Sequence, residues 1–438
     1  MKVCIMGLGY IGFPTACLVA RAGHEVIGVD VNPVVVETLR KGELHIVNEE
    51  GLEELALSVL RNGSLRVSTT PEPADVFILA VPTPFKHDSR TAIRTLIDRP
   101  ETEYQADLSY VERATLAVAP YVRPGNLIVL ESTVPPHTTE NSVMRVLEQE
   151  GVDTSTLHFA HAPERVLPGA IVHELIYNDR IIGGLTPEAG EVAASLYRSF
   201  VKGTVAVTDA TTAELVKLME NTFRDVNIAL ANEFARICEH LKVDAAEAMQ
   251  LANRHPRVNF LRPGPGVGGH CIAVDPYFVI EVAPGLSRLI QAARYVNRHM
   301  PLHVLTLLRE LAGDQPVTKV AILGASYKAN VGDDRESPAL EVAELLAEQG
   351  VTVMVHDPYV AQYAVPLQKV LDGAETVLLL TDHDEYRKID PAFAATHVSR
   401  PLLLDTRGIL NAAAWEAAGF QVRRLGNGKA EPVVSHKR

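Results

Sequence analysis

Cysteine is scarce in this chain of 438 residues; there are four, Cys4, Cys17, Cys238 and Cys271. None belongs to a CxxC pair or stands at metal-ligand spacing from a histidine. That excludes a disulfide framework and a zinc ribbon, and it fits reduced thiols in a reducing compartment. Cys4 lies in an apolar strand-like run and Cys238 in a helical pattern, so both read as core. Basic charge is also short, with 41 Lys and Arg against 54 Asp and Glu and a net charge of −13. A nucleic-acid binder usually carries a basic surface, so no nucleic-acid partner is expected. A local basic pocket for a phosphorylated small molecule remains open. No apolar run reaches about 18 residues, so no membrane span is expected. The chain begins directly on a strand, Lys2 to Met6, which leaves no room for a signal peptide. The expectation is a cytoplasmic, soluble protein. Its length suggests roughly three domains of about 150 residues, and 47% hydrophobic residues suffice for ordinary cores.

What is present is glycine at telling positions. Lys2 to Met6 runs into Gly7-Leu8-Gly9-Tyr10-Ile11-Gly12, then into a helical stretch from Pro14 to Ala22. Glu25 to Val29 is the next strand, and Asp30 closes it 18 residues after Gly12. A glycine fingerprint between strand and helix, followed by a terminal acid, is the dinucleotide-binding βαβ unit. The glycines admit a pyrophosphate to the helix N-terminus, where amides and dipole favour anions. Asp30 accepts from the adenosine ribose and repels a 2′-phosphate, which predicts NAD over NADP. Val76 to Val81 empties into Pro82-Thr83-Pro84, and Leu127 to Leu130 into Glu131-Ser132-Thr133. Ligands of open parallel sheets bind at the carboxyl ends of strands, which places Pro82, Thr83, Ser132 and Thr133 near cofactor or substrate. The polar stretch from Lys86 to Asp107 reads as a solvated surface insertion. His158 to Gly169 is a further strand-to-loop segment, and Glu164 is its notable acid.

Thr211 and Glu214 have capping-box spacing at the start of a long helical region. Lys217 and Asn221 are four apart and share a helix face, which Asp225 continues. On a mostly apolar helix such a pair reads first as a solvated edge. The helical pattern continues to Leu241, resumes from Ala245 to Asn253, and returns from Leu286 to Leu311. Between these lies Pro263-Gly264-Pro265-Gly266-Val267-Gly268-Gly269-His270-Cys271, with Asp275 four residues on. Glycine and proline together can hold one thiol rigidly against a substrate. A small inert cysteine beside a tight turn is the bland alternative. A second α/β unit starts at Lys319. It lacks a clean glycine fingerprint but carries Lys328, Arg335 and Arg407 at strand ends or loops, which suit a phosphorylated ligand other than the dinucleotide.

Together these segments resemble the nucleotide-sugar 6-dehydrogenase family, which includes UDP-glucose and GDP-mannose dehydrogenases. The similarity runs through Gly7–Gly12, Pro82-Thr83-Pro84, Glu131-Ser132-Thr133, Pro163-Glu164-Arg165, Glu214–Asn221, Gly266–Asp275, Tyr327–Pro338 and Asp405-Thr406-Arg407. It implies an α/β fold, with two Rossmann-like doubly wound domains joined by a long-helix central domain. The implied domains are 1–200 for NAD, 201–314 for catalysis and a dimer interface, and 315–438 for a UDP-sugar. Within the family, the stretches Gly42–Val47, Ala162–Gly169, Asn253–Asn259 and Gly266–Pro276 are most similar to the branch acting on UDP-N-acetyl-D-mannosamine. Pro168 stands where the glucose branch has a second Glu, and His270 where it has Ser.

The resemblance implies oxidation of a sugar C6 alcohol to the uronate with two NAD⁺ per turnover, for surface polysaccharide precursors. The implied route uses a Cys271 thiohemiacetal and thioester. Lys217 and Asn221 are the implied stabilisers of the developing alkoxide, and Asp275 and Glu164 the implied groups for positioning or activating water. Gly7, Gly9, Tyr10, Ile11, Gly12, Asp30, Pro82, Thr83, Ser132 and Thr133 fall to the cofactor. Arg165, Val166, Arg257, Asn259, Gly268, Lys328, Arg335 and Arg407 fall to the UDP-sugar, with Arg257 reaching a neighbouring subunit of a homodimer or dimer of dimers. UDP-N-acetylglucosamine and UDP-glucose remain alternative substrates. A two-electron β-hydroxyacid dehydrogenase also joins a Rossmann domain to long helices, but it needs neither a thiol nor a second α/β domain.

Overall fold

Each apolar run that empties into glycine or small polar residues becomes a parallel strand in the computed structural model. The structure describes residues 1–46, 49–86, 100–166 and 169–429. They group into two compact units. One comprises residues 1–86 and 104–220; the other comprises residues 100–103 and 221–429.

The first unit is built on eight strands: β1 (Lys2–Met6), β2 (Glu25–Val29), β3 (Leu65–Ser68), β4 (Val76–Leu79), β5 (Leu127–Leu130), β6 (His158–His161), β7 (Arg180–Gly184) and β8 (Val205–Asp209). Their spatial order is β3-β2-β1-β4-β5-β6-β7-β8, with every pair parallel except β6 and β7. Central strands such as β4 and β5 are buried at every position, because helices cover both faces. One face packs Phe13, Leu55, Leu175 and Tyr197, and the other packs Val111, Val143 and Leu147. The order reverses between β1 and β4, and this switch point opens the crevice where such sheets take their ligands. The sequence pattern does not mark β3, β7 or β8. The last is a half-exposed edge strand, so it carries no continuous apolar run.

The insertion from Lys86 to Asp107 departs from its expectation. Its described ends pair with each other, Lys86 N to Gln105 O at 3.0 Å and Asp107 N to Pro84 O at 2.7 Å. Tyr104 and Ala106 are buried, so this part is pinned rather than solvated. Residues 87–99 lie outside the described residues, as does Pro168.

A single helix, Ala210–Leu241, begins in the first unit and ends in the second. Its start corrects the expected capping box. Asp209 caps it, accepting from Thr212 N at 2.8 Å and Thr212 Oγ1 at 2.6 Å, while Glu214 turns to another task described below. The helices Ala245–Ala252, Asp275–Val282, Arg288–Arg298 and Met300–Ala312 follow. The last two were expected as one. His299 separates them, and Pro301 stands in the first turn of the second, where its missing N–H is tolerated.

The second sheet comprises β9 (Lys319–Leu323), β10 (Thr352–His356), β11 (Thr376–Leu379), β12 (Leu402–Asp405) and β13 (Gln421–Arg424), in the order β10-β9-β11-β12-β13 and all parallel. Gly324 after β9 has φ +100, and a Cβ there would stand 2.3 Å from Thr381 Cβ. The next helix begins only at Pro338. A long loop thus replaces the tight fingerprint of the first unit.

Candidate active site

The fingerprint glycines divide into two kinds. Gly7 has φ +94, and a Cβ on it would stand 2.4 Å from Ala80 O; a Cβ on Gly12 would stand 2.0 Å from Gly7 O. The fold itself demands glycine at both. At Gly9 no protein atom lies within 4 Å of that position and φ is not positive, so packing leaves this glycine unexplained. The helix Gly12–Arg21 that follows has no side-chain cap at its N-terminus, and its first amides suit an anion. Asp30, at the end of β2, accepts from Leu8 N and Asn32 N, each at 2.9 Å. It therefore fixes the loop, and each oxygen keeps a second lone pair for a ribose hydroxyl. Tyr10 is exposed and Ile11 half-buried beside it. These residues fit a dinucleotide.

Thr83 and Ser132 have local tasks. Thr83 Oγ1 donates to Thr133 O at 2.6 Å, and Ser132 Oγ donates to Val81 O at 2.6 Å while accepting from Val81 N at 2.9 Å. They tie the carboxyl ends of β4 and β5 together, leaving lone pairs rather than protons for a ligand. Pro82 is exposed and Thr133 half-buried.

Glu164 is buried and does not stand alone. Arg180, itself 2% exposed, bonds Glu164 through Nη1 and Glu131 through Nη2, the latter at 2.9 Å. Tyr197 donates to the same Glu131 oxygen at 3.2 Å. One cation faces two buried acids. Burial, opposed by Arg180 and reinforced by Glu164, pushes the Glu131 carboxyl up to about 7. Glu164 also accepts from Arg165 N, and the Arg165 side chain pairs with Glu220 through Nε (2.9 Å) and Nη2. Val166 is half-buried beside them. Arg180 escaped the sequence reading, although it is the only charge in an apolar strand, and that was the available signal.

Glu214 is 1% exposed and accepts from His137 N, Thr139 N and Thr139 Oγ1 at 2.6–2.8 Å. It thereby holds the loop after β5, where His137 adopts φ +72.

The expected solvated edge on the long helix is also corrected: Lys217 is 9% exposed, Asn221 8% and Asp225 0%. In the second unit Asn221 Nδ2 donates to Asp275 Oδ2 at 2.6 Å. Asp275 N donates to Cys271 O at 2.8 Å, which joins the thiol's turn to the helix Asp275–Val282. Cys271 is partly exposed, whereas Cys4, Cys17 and Cys238 are buried. Burial pushes the Cys4 thiol up to about 12 and raises Cys17 and Cys238 as well. Asp225 accepts from Arg294 Nη1 at 2.6 Å and Asn297 Nδ2 at 2.8 Å. Asn232 donates to Asn297 Oδ1 at 2.9 Å and accepts from Gly264 N at 2.8 Å. This buried chain, also unmarked in the sequence, supports the start of the thiol loop.

Gly268 and Gly269 seat that loop on the segment after β9. A Cβ on Gly268 would stand 2.4 Å from Glu336 O, and one on Gly269 2.7 Å from the Tyr327 ring. Arg335 pairs with both oxygens of Asp333 at 2.9 and 2.6 Å, and Arg407 with Asp382 at 3.1 Å. Arg407 Nη1 lies 2.2 Å from where a Cβ of Gly264 would be. Lys328 lies half-buried in the same loop, while Arg257 and Asn259 are exposed on a turn that Asn253 closes through Phe260 N and O.

Three matches cover the chain. Residues 1–201 match the UDP-glucose/GDP-mannose dehydrogenase family, NAD binding domain; residues 211–299 its central domain; residues 321–412 its UDP binding domain. The chain is 44% identical over 437 residues to a UDP-N-acetyl-D-mannosamine dehydrogenase of Methanococcus maripaludis, covering 98% of this chain and 97% of the relative. It is 45% identical to an NDP-N-acetyl-D-galactosaminuronic acid dehydrogenase of Ralstonia nicotianae, covering 94% and 96%. The solved UDP-D-ManNAc dehydrogenase of Pyrococcus horikoshii superposes with a TM-score of 0.89 at 40% identity, covering 98% and 100%. No helix among the described residues is long and apolar enough to cross a membrane.

Proposed function

Because the chain belongs to the UDP-glucose/GDP-mannose dehydrogenase family, we propose that it oxidises the C6 alcohol of UDP-N-acetyl-D-mannosamine to the uronate through a covalent Cys271 intermediate, supplying a precursor for surface polysaccharide. The observation that carries this reading is the Cys271 turn. Its thiol alone among the four is partly exposed, and its backbone is bonded to Asp275, which Asn221 holds in turn.

NAD⁺ bound at Gly7–Gly12 supplies the hydride acceptor for both oxidations, two per sugar. Cys271 contributes a thiolate, the nucleophilic form of the residue, which adds to the C6 aldehyde and converts one difficult oxidation into two easier steps. The acyl group leaves as a thioester, which water cleaves to the free carboxylate and thiol. Lys217 and Asn221 donate to the developing alkoxide; such donors are worth about 10²–10³ in rate. Asp275 positions the attacking water. Glu164 has a different task from the water-activating one it shared with Asp275 in the sequence reading. Its oxygens already accept from Arg165 N and Arg180, so it shapes the segment that carries Arg165 and Val166.

Thr83, Ser132 and Thr133 line the cofactor. Gly268, Lys328, Arg335 and Arg407 serve the UDP-sugar, as do Arg257 and Asn259. We assign residues 1–200, 201–314 and 315–438 to NAD, catalysis and UDP-sugar. A second copy of the chain covers the long helix, where Leu215, Met219, Phe223, Leu230, Phe234, Ile237 and Leu241 are exposed at three- and four-residue spacing. Such a stripe marks an interaction surface.

The test is a panel of UDP-N-acetyl-D-mannosamine, UDP-N-acetylglucosamine, UDP-N-acetylgalactosamine and UDP-glucose with NAD⁺, read at 340 nm. Two NADH per UDP-N-acetyl-D-mannosamine are expected, together with loss of uronate formation in Cys271→Ser while NAD still binds. One NADH per sugar, or full turnover by the serine variant, refutes the covalent route.

A further inference from the structure

The thiol loop and the loop after β9 meet at one corner of the second unit, and the charges there have a definite arrangement. Gly269 N donates to Arg335 O at 3.1 Å, which ties the backbone of Arg335 to the residue two before the thiol. The glycines at 268 and 269 let the two loops close on each other, since a Cβ on either would strike Glu336 or Tyr327. The Arg335 side chain is held as well. Its Nε and Nη2 bond both oxygens of Asp333, which occupies one edge of the guanidinium fork and leaves the Nη1 side for another anion.

We propose that Arg335, beyond any contact with the UDP-sugar, is the fixed cation that stabilises the Cys271 thiolate. This rests on the reading of Cys271 as the nucleophile. The thiol's charge acts on the Arg335 guanidinium, after the larger effects of Asp333, burial and Tyr327. The other titratable groups at this corner are His270, whose charge reaches Asp333, and Asp275, bonded to the thiol's turn. A cation near a thiol lowers its pKa and raises the thiolate fraction at neutral pH. Asp333 acts as a positioning residue by fixing the guanidinium. The arrangement links the UDP-binding loop directly to the reactivity of the sulfur.

Iodoacetamide alkylation of the full-length enzyme, without substrate, tests this. The rate at Cys271 is followed by peptide mass from pH 5.5 to 9.5 in wild type, Arg335→Gln and Arg335→Lys. Because Arg335 is exposed over half its side-chain surface, neither change burdens the core. In Arg335→Gln the rate at pH 7 should fall about tenfold and its inflection rise by about one pH unit. Arg335→Lys, which keeps the charge, should stay within about threefold of wild type. A wild-type profile in Arg335→Gln overturns the proposal, and so does an equal loss in both variants, which would make the role one of shape. Alkylation needs no turnover, so this result is separate from the Cys271→Ser test of the covalent route.

Discussion

Replacing Glu131 by glutamine should change the pH dependence of stability more than stability itself. Glu131 shares Arg180 with Glu164 in a dry interior, and a single guanidinium cannot neutralise two buried acids. Its carboxyl therefore lies near 7 in the folded protein against an ordinary 4.5. A raised folded value means that the folded protein holds a proton that the unfolded chain has lost. The associated stability is full below about pH 4.5 and is lost as pH climbs through about 7. The difference corresponds to about 3 kcal/mol. Glutamine keeps an acceptor for Arg180 and Tyr197 but does not titrate, so it removes the slope. For a unit of about 200 residues, 1 kcal/mol shifts Tm by about 2–4 °C. Between pH 5 and pH 8 the Tm of Glu131→Gln should therefore rise relative to wild type by roughly 5–10 °C, read by thermal unfolding in one buffer series. A gap that stays constant across that range would show that Glu131 is ionised throughout and would refute the argument that one cation serves two acids.

Asp30→Ala should relax the preference for NAD over NADP; an unchanged ratio of the two Kd values by titration would remove Asp30 from that role. Gly12→Ala places a methyl 2.0 Å from Gly7 O, so NAD affinity should fall at least about tenfold, corresponding to about 1.4 kcal/mol, and retained affinity would mean the helix shifts freely. The double change Phe223→Glu and Phe234→Glu, on residues 69% and 40% exposed, should halve the mass measured by light scattering while leaving the helical circular dichroism intact. An unchanged mass would place any self-association elsewhere.

Local chemistry was legible wherever one segment carried it. The order strand, glycines, helix, acid announced the cofactor end, because a pyrophosphate-binding turn needs its residues within one βαβ unit. The Gly-rich segment announced Cys271 for the same reason. What the amino-acid order left ambiguous was whether a polar residue on a helix faces water or a core. Lys217 and Asn221 read as an edge and are buried, since burial depends on what packs against the helix. Glu214 read as part of a cap and instead holds the loop at His137, more than seventy residues earlier in the chain.

By itself, then, the sequence determined the cofactor fingerprint, the lone accessible thiol and the family, all written in contiguous motifs. Only the tertiary structure decided the partners: Arg180 between Glu131 and Glu164, Asn221 on Asp275, Arg335 against the thiol loop. Buried charges require a counter-charge or donors within hydrogen-bonding distance. The chain supplies these from segments 16 to 66 residues apart, and no periodicity or spacing encodes such a meeting.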